Sequence, residues 1–389
     1  MNYTANTPEG TRDRLFAECR DRRQVQDALT ALFRRRSYAE VITPEVEYYD
    51  LFLRSGNPLP QESMLKIIDR SGKIMVMRPA NRAPIARVGA GKLNAGPLPQ
   101  RFYYNQTVFR SGDAHKASSS EIAQCGIELI GASGKKADVE MVAMAVDSLR
   151  ECGLKQFHIE LGHVGFFRTL AAGMDMEPDK IEQMRKLIEG KNFAALGDLL
   201  EPYGDKPACA ALKRLSRLFG GVEVLAEAET LTMGSEALSY LRAVYGELEA
   251  AGYEKFIRFD LGLVHQIDYY TGVVFRGYVE GAGGAVLSGG RYDALVGAFG
   301  RPAQATGYAI DVDAVAGCLP SADLPALELV VHYEDGMLAQ ALAEVDQYAP
   351  GICELSPCRT LESSLNLARE KGARAVLVLS KKGVREVAI

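Results

Sequence analysis

The spacing of apolar residues divides the chain into short helices and strands. Leu15, Val25, Leu29, Leu32 and Phe33 recur at helical intervals among charges, which predicts a helix over 11–37. Around Pro44, β-branched residues lead into a turn and a second helix. Residues 63–78 set two short apolar runs about Arg70-Ser71-Gly72, the pattern of a hairpin. A helix follows Pro84, strands over 101–110 and 121–130 read as antiparallel partners, and 138–151 reads as a helix. Phe157, Ile159 and Leu161 alternate with His158 and Glu160, and Ile257, Phe259 and Leu261 with Arg258 and Asp260; both segments read as half-buried strands. Residues 178–251 are helical in spacing throughout, from Ile181 and Met184, through Leu212, Leu215, Leu218 and Phe219, to Leu238, Leu241 and Val244. A helical insertion over about 170–252 therefore interrupts a β-rich domain. That domain resumes with paired strands over 262–279 and 284–288, joined across a glycine-rich turn, and a strand over 303–312. Beyond a linker at 319–325, strands and helices alternate, with Thr360 as a helix cap. The predicted class is α+β: a domain over 1–320 and a small α/β domain over 325–389.

With 47% apolar and 24% charged residues, the 389-residue chain has the composition of a globular protein, not of a disordered or collagen-like one. No apolar run reaches the roughly 20 residues of a membrane span, and the N-terminus lacks the pattern of a secretion signal, so a soluble cytoplasmic protein is expected. Seven cysteines at 19, 125, 152, 209, 318, 353 and 358 include no CxxC pair, and five scattered histidines add no zinc spacing. No metal is expected, and the thiols read as reduced. A net charge of −5, with basic residues spread along the chain, argues against a nucleic-acid partner.

No phosphate-binding loop, dinucleotide fingerprint, nucleophile elbow or zincin motif is present, so no cofactor is expected. The candidate chemistry lies in polar residues on strands: Arg110, Gln124, Glu128, Asp268, Tyr269, Tyr270 and Arg291. Gln124, Gly126 and Glu128 share one strand face, with glycine leaving room between an amide and a carboxylate. Such a pair suits an ammonium group; an exposed polar sheet face is the alternative. Tyr269 and Tyr270 are consecutive, so one is expected to face the pocket and the other to pack elsewhere. Arg291 fits a ligand contact or an architectural ion pair equally.

Several segments resemble class II aminoacyl-tRNA synthetases. Thr43-Pro44-Glu45 is similar to their first motif, 108–110 with 121–131 to the second, and Gly307-Tyr308-Ala309-Ile310 to the start of the third. Residues 263–275, containing Asp268-Tyr269-Tyr270-Thr271-Gly272, and Gly289-Gly290-Arg291-Tyr292-Asp293 resemble the histidyl enzyme in particular, and the likeness spans about 7–317. The resemblance implies an antiparallel sheet flanked by helices, a histidine-like pocket, and a homodimer with Pro44 at the interface. Departures stand where the synthetases adenylate. His265 and Gln266 replace an arginine segment, Ala314 stands for the third-motif arginine, and Gly112 for an adenine-contacting glutamate, followed by a loop, 113–120, that lacks the usual basic bias. Ala80 and Arg82 occupy positions of an acidic residue and a threonine that hold the amino acid's ammonium, so weak or no histidine binding is expected. A synthetase core without adenylation residues resembles the regulatory subunits of ATP phosphoribosyltransferase. That likeness implies a non-catalytic protein that pairs with a short catalytic subunit in a hetero-octamer and confers feedback by histidine. Two alternatives are an ATP-using amino-acid ligase and a free-standing synthetase paralogue.

Overall fold

Helix α1 (Ala17–Arg35) buries Val25, Leu29, Leu32 and Phe33 along one face, as their spacing predicts. Its start differs from the predicted 11–37. Phe16 takes φ 46° and is 74% exposed, and Leu15 is also exposed, so the apolar pair lies outside the helix. The computed structural model describes residues 6–54, 60–111, 119–204, 206–232, 235–264, 269–321, 325–348 and 351–389. The chain divides into two units, residues 1–320 and 321–389.

In the first unit, β1 (Ala39–Glu40), β2 (Val46–Tyr48) and α2 (Tyr49–Arg54) precede the hairpin of β3 (Lys66–Ile68) and β4 (Ile74–Met77), closed at Gly72 with φ 80°. Then come α3 (Arg82–Ala90), β5 (Gln100–Phe109), β6 (Glu121–Ile130), α4 (Gly134–Glu151) and β7 (Phe157–His163). The insertion holds α5 (Val164–Ala172), α6 (Pro178–Glu189), α7 (Phe193–Leu200), α8 (Pro207–Arg214), β8 (Phe219–Gly220), α9 (Glu223–Thr232) and α10 (Glu236–Ala250). It is not helical throughout: Phe219 pairs with Asp260 at a sheet edge and is 48% exposed. The unit closes with β9 (Ile257–Asp260), β10 (Val273–Val279), β11 (Leu287–Arg291), β12 (Ala305–Asp311) and α11 (Val312–Gly317).

Among the described residues, nine strands form one sheet in the order β1-β5-β6-β12-β11-β10-β7-β9-β8. From β5 to β7 every pairing is antiparallel, but β1 joins β5 and β9 joins β7 in parallel, so the sheet is mixed rather than wholly antiparallel. Helices cover it, and β6 is buried without a break from Cys125 to Ile130, including Glu128 at 0% exposure. Strand β10 starts at Val273, not 262. Its neighbour β7 ends at His163, where α5 begins, so the ladder with β7 stops at Val273. Its partner in turn runs from 287 to 291 rather than 284 to 288.

In the second unit, β13 (Leu329–Tyr333), α12 (Leu338–Gln347), β14 (Cys353–Leu355), α13 (Leu361–Glu370), β15 (Ala375–Ser380) and β16 (Gly383–Ala388) form a four-stranded sheet with two helices. Thr360 caps α13, its hydroxyl accepting from the Ser363 N–H. All seven cysteines are free thiols. Among the described residues, no helix is long and apolar enough to cross a membrane.

Candidate functional site

The sheet positions the site through glycines that leave space for their neighbours' side chains. Gly126 is the cross-strand partner of Tyr104, whose hydroxyl lies 2.5 Å from where a Cβ of Gly126 would stand. The room expected beside Gly126 is therefore filled by this ring. A Cβ on Gly307 would strike the Glu128 carboxylate, and one on Gly290 would come within 2.8 Å of the Tyr270 ring. Strands β6, β11 and β12 thus set Glu128 and two tyrosines into one cavity by omitting side chains beside them.

Glu128 is the centre of that cavity. Tyr292 donates a hydrogen bond to its Oε2, and Oε1 has no hydrogen bond among the described residues. Burial pushes the Glu128 carboxyl up to about 7, against the pull of Arg82 and Tyr292. Arg82, at the first position of α3, reaches in beside it with Nε 3.7 Å from Oε1. The guanidinium donates to the Tyr270 hydroxyl at 2.6 Å and to the Ser288 carbonyl at 3.2 Å. Its carbon lies 5.8, 5.4 and 5.8 Å from the ring centroids of Tyr269, Tyr270 and Tyr292. Both consecutive tyrosines line the cavity, because residues 269–272 form no strand and alternation does not apply to them.

Arg110 and Gln124 flank this cluster. Arg110 Nε donates to the Pro79 carbonyl at 2.9 Å, and burial, followed by the Arg82 charge, lowers its pKa. Gln124 accepts from Asn81 Nδ2 at 3.3 Å, and Asn81 in turn accepts from Gln106. Arg78, 2% exposed, anchors the segment before α3. It donates to the carbonyls of Thr43 and Pro44 at 2.7 Å and of Thr107 at 2.8 Å.

The structure brings together Arg82, Arg110, Gln124, Glu128, Tyr269 and Tyr270, and takes Arg291 elsewhere. Arg291 pairs with Asp138 at 2.8 Å, bonds Asp293, and donates to the carbonyls of Ala132 and Gly134 at the start of α4. Asp138 also accepts from Tyr240. With its donors committed to this buried network, Arg291 is an architectural ion pair, not a pocket residue. Pro44 is exposed beside buried Thr43. Gly112, the loop residues 113–118, His265, Gln266 and Asp268 lie outside the described residues. Tyr104, Asn81 and Arg78 were not singled out from sequence, and Tyr292 entered only within the 289–293 motif. Pairing the strands in register would have exposed Tyr104, since it faces a glycine across the ladder. The described residues hold no group of three side chains suited to a metal.

The family model for histidyl-tRNA synthetase matches residues 10–315. An ATP phosphoribosyltransferase regulatory subunit of Clostridium kluyveri is 41% identical over 320 residues, covering 81% of this chain and 82% of that protein. One from Clostridium novyi is 35% identical over 388 residues, covering 97% and 92%. The crystal structure of an ATP phosphoribosyltransferase regulatory subunit/histidyl-tRNA synthetase from Bacillus halodurans matches with a TM-score of 0.85 at 27% identity, covering 98% of this chain and all of that one. The chain belongs to the family of ATP phosphoribosyltransferase regulatory subunits, built on the histidyl-tRNA synthetase fold.

Proposed function

We propose that this chain is a non-catalytic regulatory subunit of ATP phosphoribosyltransferase, the first enzyme of histidine biosynthesis. It binds the short catalytic subunit in the cytoplasm and confers activity and histidine feedback on it, shifting that enzyme between active and inhibited populations. The observation that carries this reading is the 41% and 35% identity to regulatory subunits over most of each chain.

The site supports the absence of amino-acid activation. Adenylation builds negative charge on phosphorus, and fixed cations that meet such charge contribute on the order of a hundred- to thousandfold each. At the third-motif position the Ala314 side chain packs on the hydrophobic core, and its N–H donates to the Asp311 carboxylate at 3.0 Å. Nearby, Arg14 is held by Asp313 at 2.8 Å. In the amino-acid cavity, Arg82 stands beside the carboxylate that a bound ammonium would need.

A homodimer within a hetero-octamer fits the exposed apolar residues around Pro44. Ile42 and Ile68 are 79% and 73% exposed, and Val46, Tyr48, Ile67 and Ile74 lie open on the small sheet of β2, β3 and β4. Two assays test the proposal. Adding the purified chain to the short catalytic subunit should raise the rate of phosphoribosyl-ATP formation and make it sensitive to histidine. ATP–pyrophosphate exchange should stay at background with every amino acid. An unchanged phosphoribosyl transfer rate at all ratios, or amino-acid-dependent exchange, overturns it.

A further inference from the structure

The alternation that marks β7 and β9 as half-buried strands leaves His158, Glu160 and Arg258 on one polar face, and the cluster around Glu128 uses none of them. Strands β7 and β9 run parallel, and β10 pairs antiparallel with β7, so the starts of two strands meet the end of a third. There Phe157, His158, Lys255, Arg258, Tyr278 and Glu280 line a cavity of about 340 Å³. We infer that this cavity binds a small oxyanion carried on a flat ring, either a phosphate ester or a carboxylate. The ring lies on the pair of His158 and Tyr278, and the anion is held by Lys255 and Arg258.

His158 and Tyr278 stand opposite one another across the ladder, and their rings stack with centroids 5.6 Å apart and planes 20° from parallel. Glu160, 6% exposed, fixes the imidazole, whose Nε2 lies 3.4 Å from its Oε1. A stacked pair that is half-buried offers an aromatic face to the cavity, and stacking on such a face accepts any flat ring. Phe157 adds an apolar wall, its ring stacked on Phe256 at 4.8 Å. The volume lies at the lower end of small-molecule pockets and admits one ring with its substituent, not a polymer.

The preference for an anion comes from cations without counterions. Among the described residues, neither Lys255 nor Arg258 is ion-paired. Arg258 spends one N–H on the Ile257 carbonyl at 2.9 Å, which leaves most of its guanidinium fork free for a planar oxyanion. Lys255 stands over the Phe256 ring, Nζ 5.0 Å from the centroid. Against these two, Glu280 is the only carboxylate of the lining among the described residues. The lining therefore carries positive charge in excess, on long exposed side chains that can close on an anion. The cavity is separate from the Glu128 cluster, because β10 stands three strands from β6, roughly 14 Å at the usual spacing.

The test is isothermal titration of the full chain with phenyl phosphate and with benzoate, against inorganic phosphate, acetate and phenol at equal ionic strength. The tighter of the two ring-bearing anions should bind at least about tenfold more tightly than any control. Which of them leads tells a phosphate ester from a carboxylate. K255Q/R258Q, altered at exposed positions, should lose about tenfold in affinity. Y278L should lose the advantage over the ring-free anion, and Y278F should keep it. With five histidines in the chain, the His158 ring protons can be assigned by their absence in H158Q, and the ligand should shift them. Should Y278L fail to fold, that signal and K255Q/R258Q carry the test. Ring-bearing anions no tighter than the controls, a His158 signal left unmoved, or affinity that survives K255Q/R258Q overturns the inference.

Discussion

Replacing Glu128 by glutamine should change the pH dependence of stability, with a sign and size set by the cavity. Glu128 has an ordinary carboxyl pKa of 4.5 when unfolded and one of about 7 in the native chain, raised mainly by burial. Between those values the native state holds a proton that the unfolded state has released. Raising the pH therefore draws stability out of the native state across that window. The loss is complete above pH 7 and absent below 4.5, and a shift of this size corresponds to about 3 kcal/mol. A glutamine amide cannot titrate, so E128Q lacks this slope. Urea denaturation of both proteins, followed by far-ultraviolet circular dichroism because the chain has no tryptophan, isolates the contribution when protomer concentration is held constant. Other titrating groups cancel in the difference between the two curves. E128Q should gain about 2 to 3 kcal/mol relative to the native sequence between pH 5 and pH 8. A flat difference would mean that Glu128 is solvated. A difference of opposite sign would mean that Arg82 holds the carboxylate ionised at 3.7 Å, and either result would refute the desolvation argument.

Removing Arg291 should destabilise the first unit by about 3 to 5 kcal/mol, because Asp138, 2% exposed, is left buried without its partner. D138N/R291Q should recover part of the lost stability in urea. In the second unit, T360A removes the cap on the Ser363 N–H and should cost about 1 kcal/mol. Hydrogen exchange should place that loss in 361–370 and leave the nine-stranded sheet unaffected.

The legible elements were those whose pattern had a local cause. Strands β5 and β6 carry apolar and aromatic residues at both ends of their runs and were read within a residue, and the hairpin of β3 and β4 announces its turn with Ser71-Gly72. What failed depended on distant partners. Residues 262–272 have the composition of a strand, but the described residues 269–272 just before β10 lie where the neighbouring chain has already become α5. Leu15 continues the apolar rhythm of α1, yet the chain turns at Phe16. In the site, strand alternation put Gln124 and Glu128 on one face without assistance. It could not choose between two roles for Arg291, since the deciding residue, Asp138, lies 153 positions away. Nor could it fix Arg82, whose place is set by three tyrosines from two other segments of the chain.

The residues around Glu128 and the cation beside it are held by different parts of the fold, and this separates their fates under substitution. Gly126, Gly290 and Gly307 stand on three strands of the central sheet, and a Cβ at any of them meets backbone as well as a side chain of the cluster: Tyr104, Tyr270 and Glu128 respectively. Changing one of these glycines therefore disturbs the ladder that holds the domain together, at a cost of about 1 to 3 kcal/mol or more from overpacking alone. Arg82 sits at a helix start, partly exposed and bonded to one hydroxyl and one carbonyl, so changing it leaves every strand pairing intact. The acidic aromatic cluster is thus held by the sheet, while the cation beside Glu128 is held by the start of α3. Residue 82 is therefore the position in this cluster where a substitution costs the fold least.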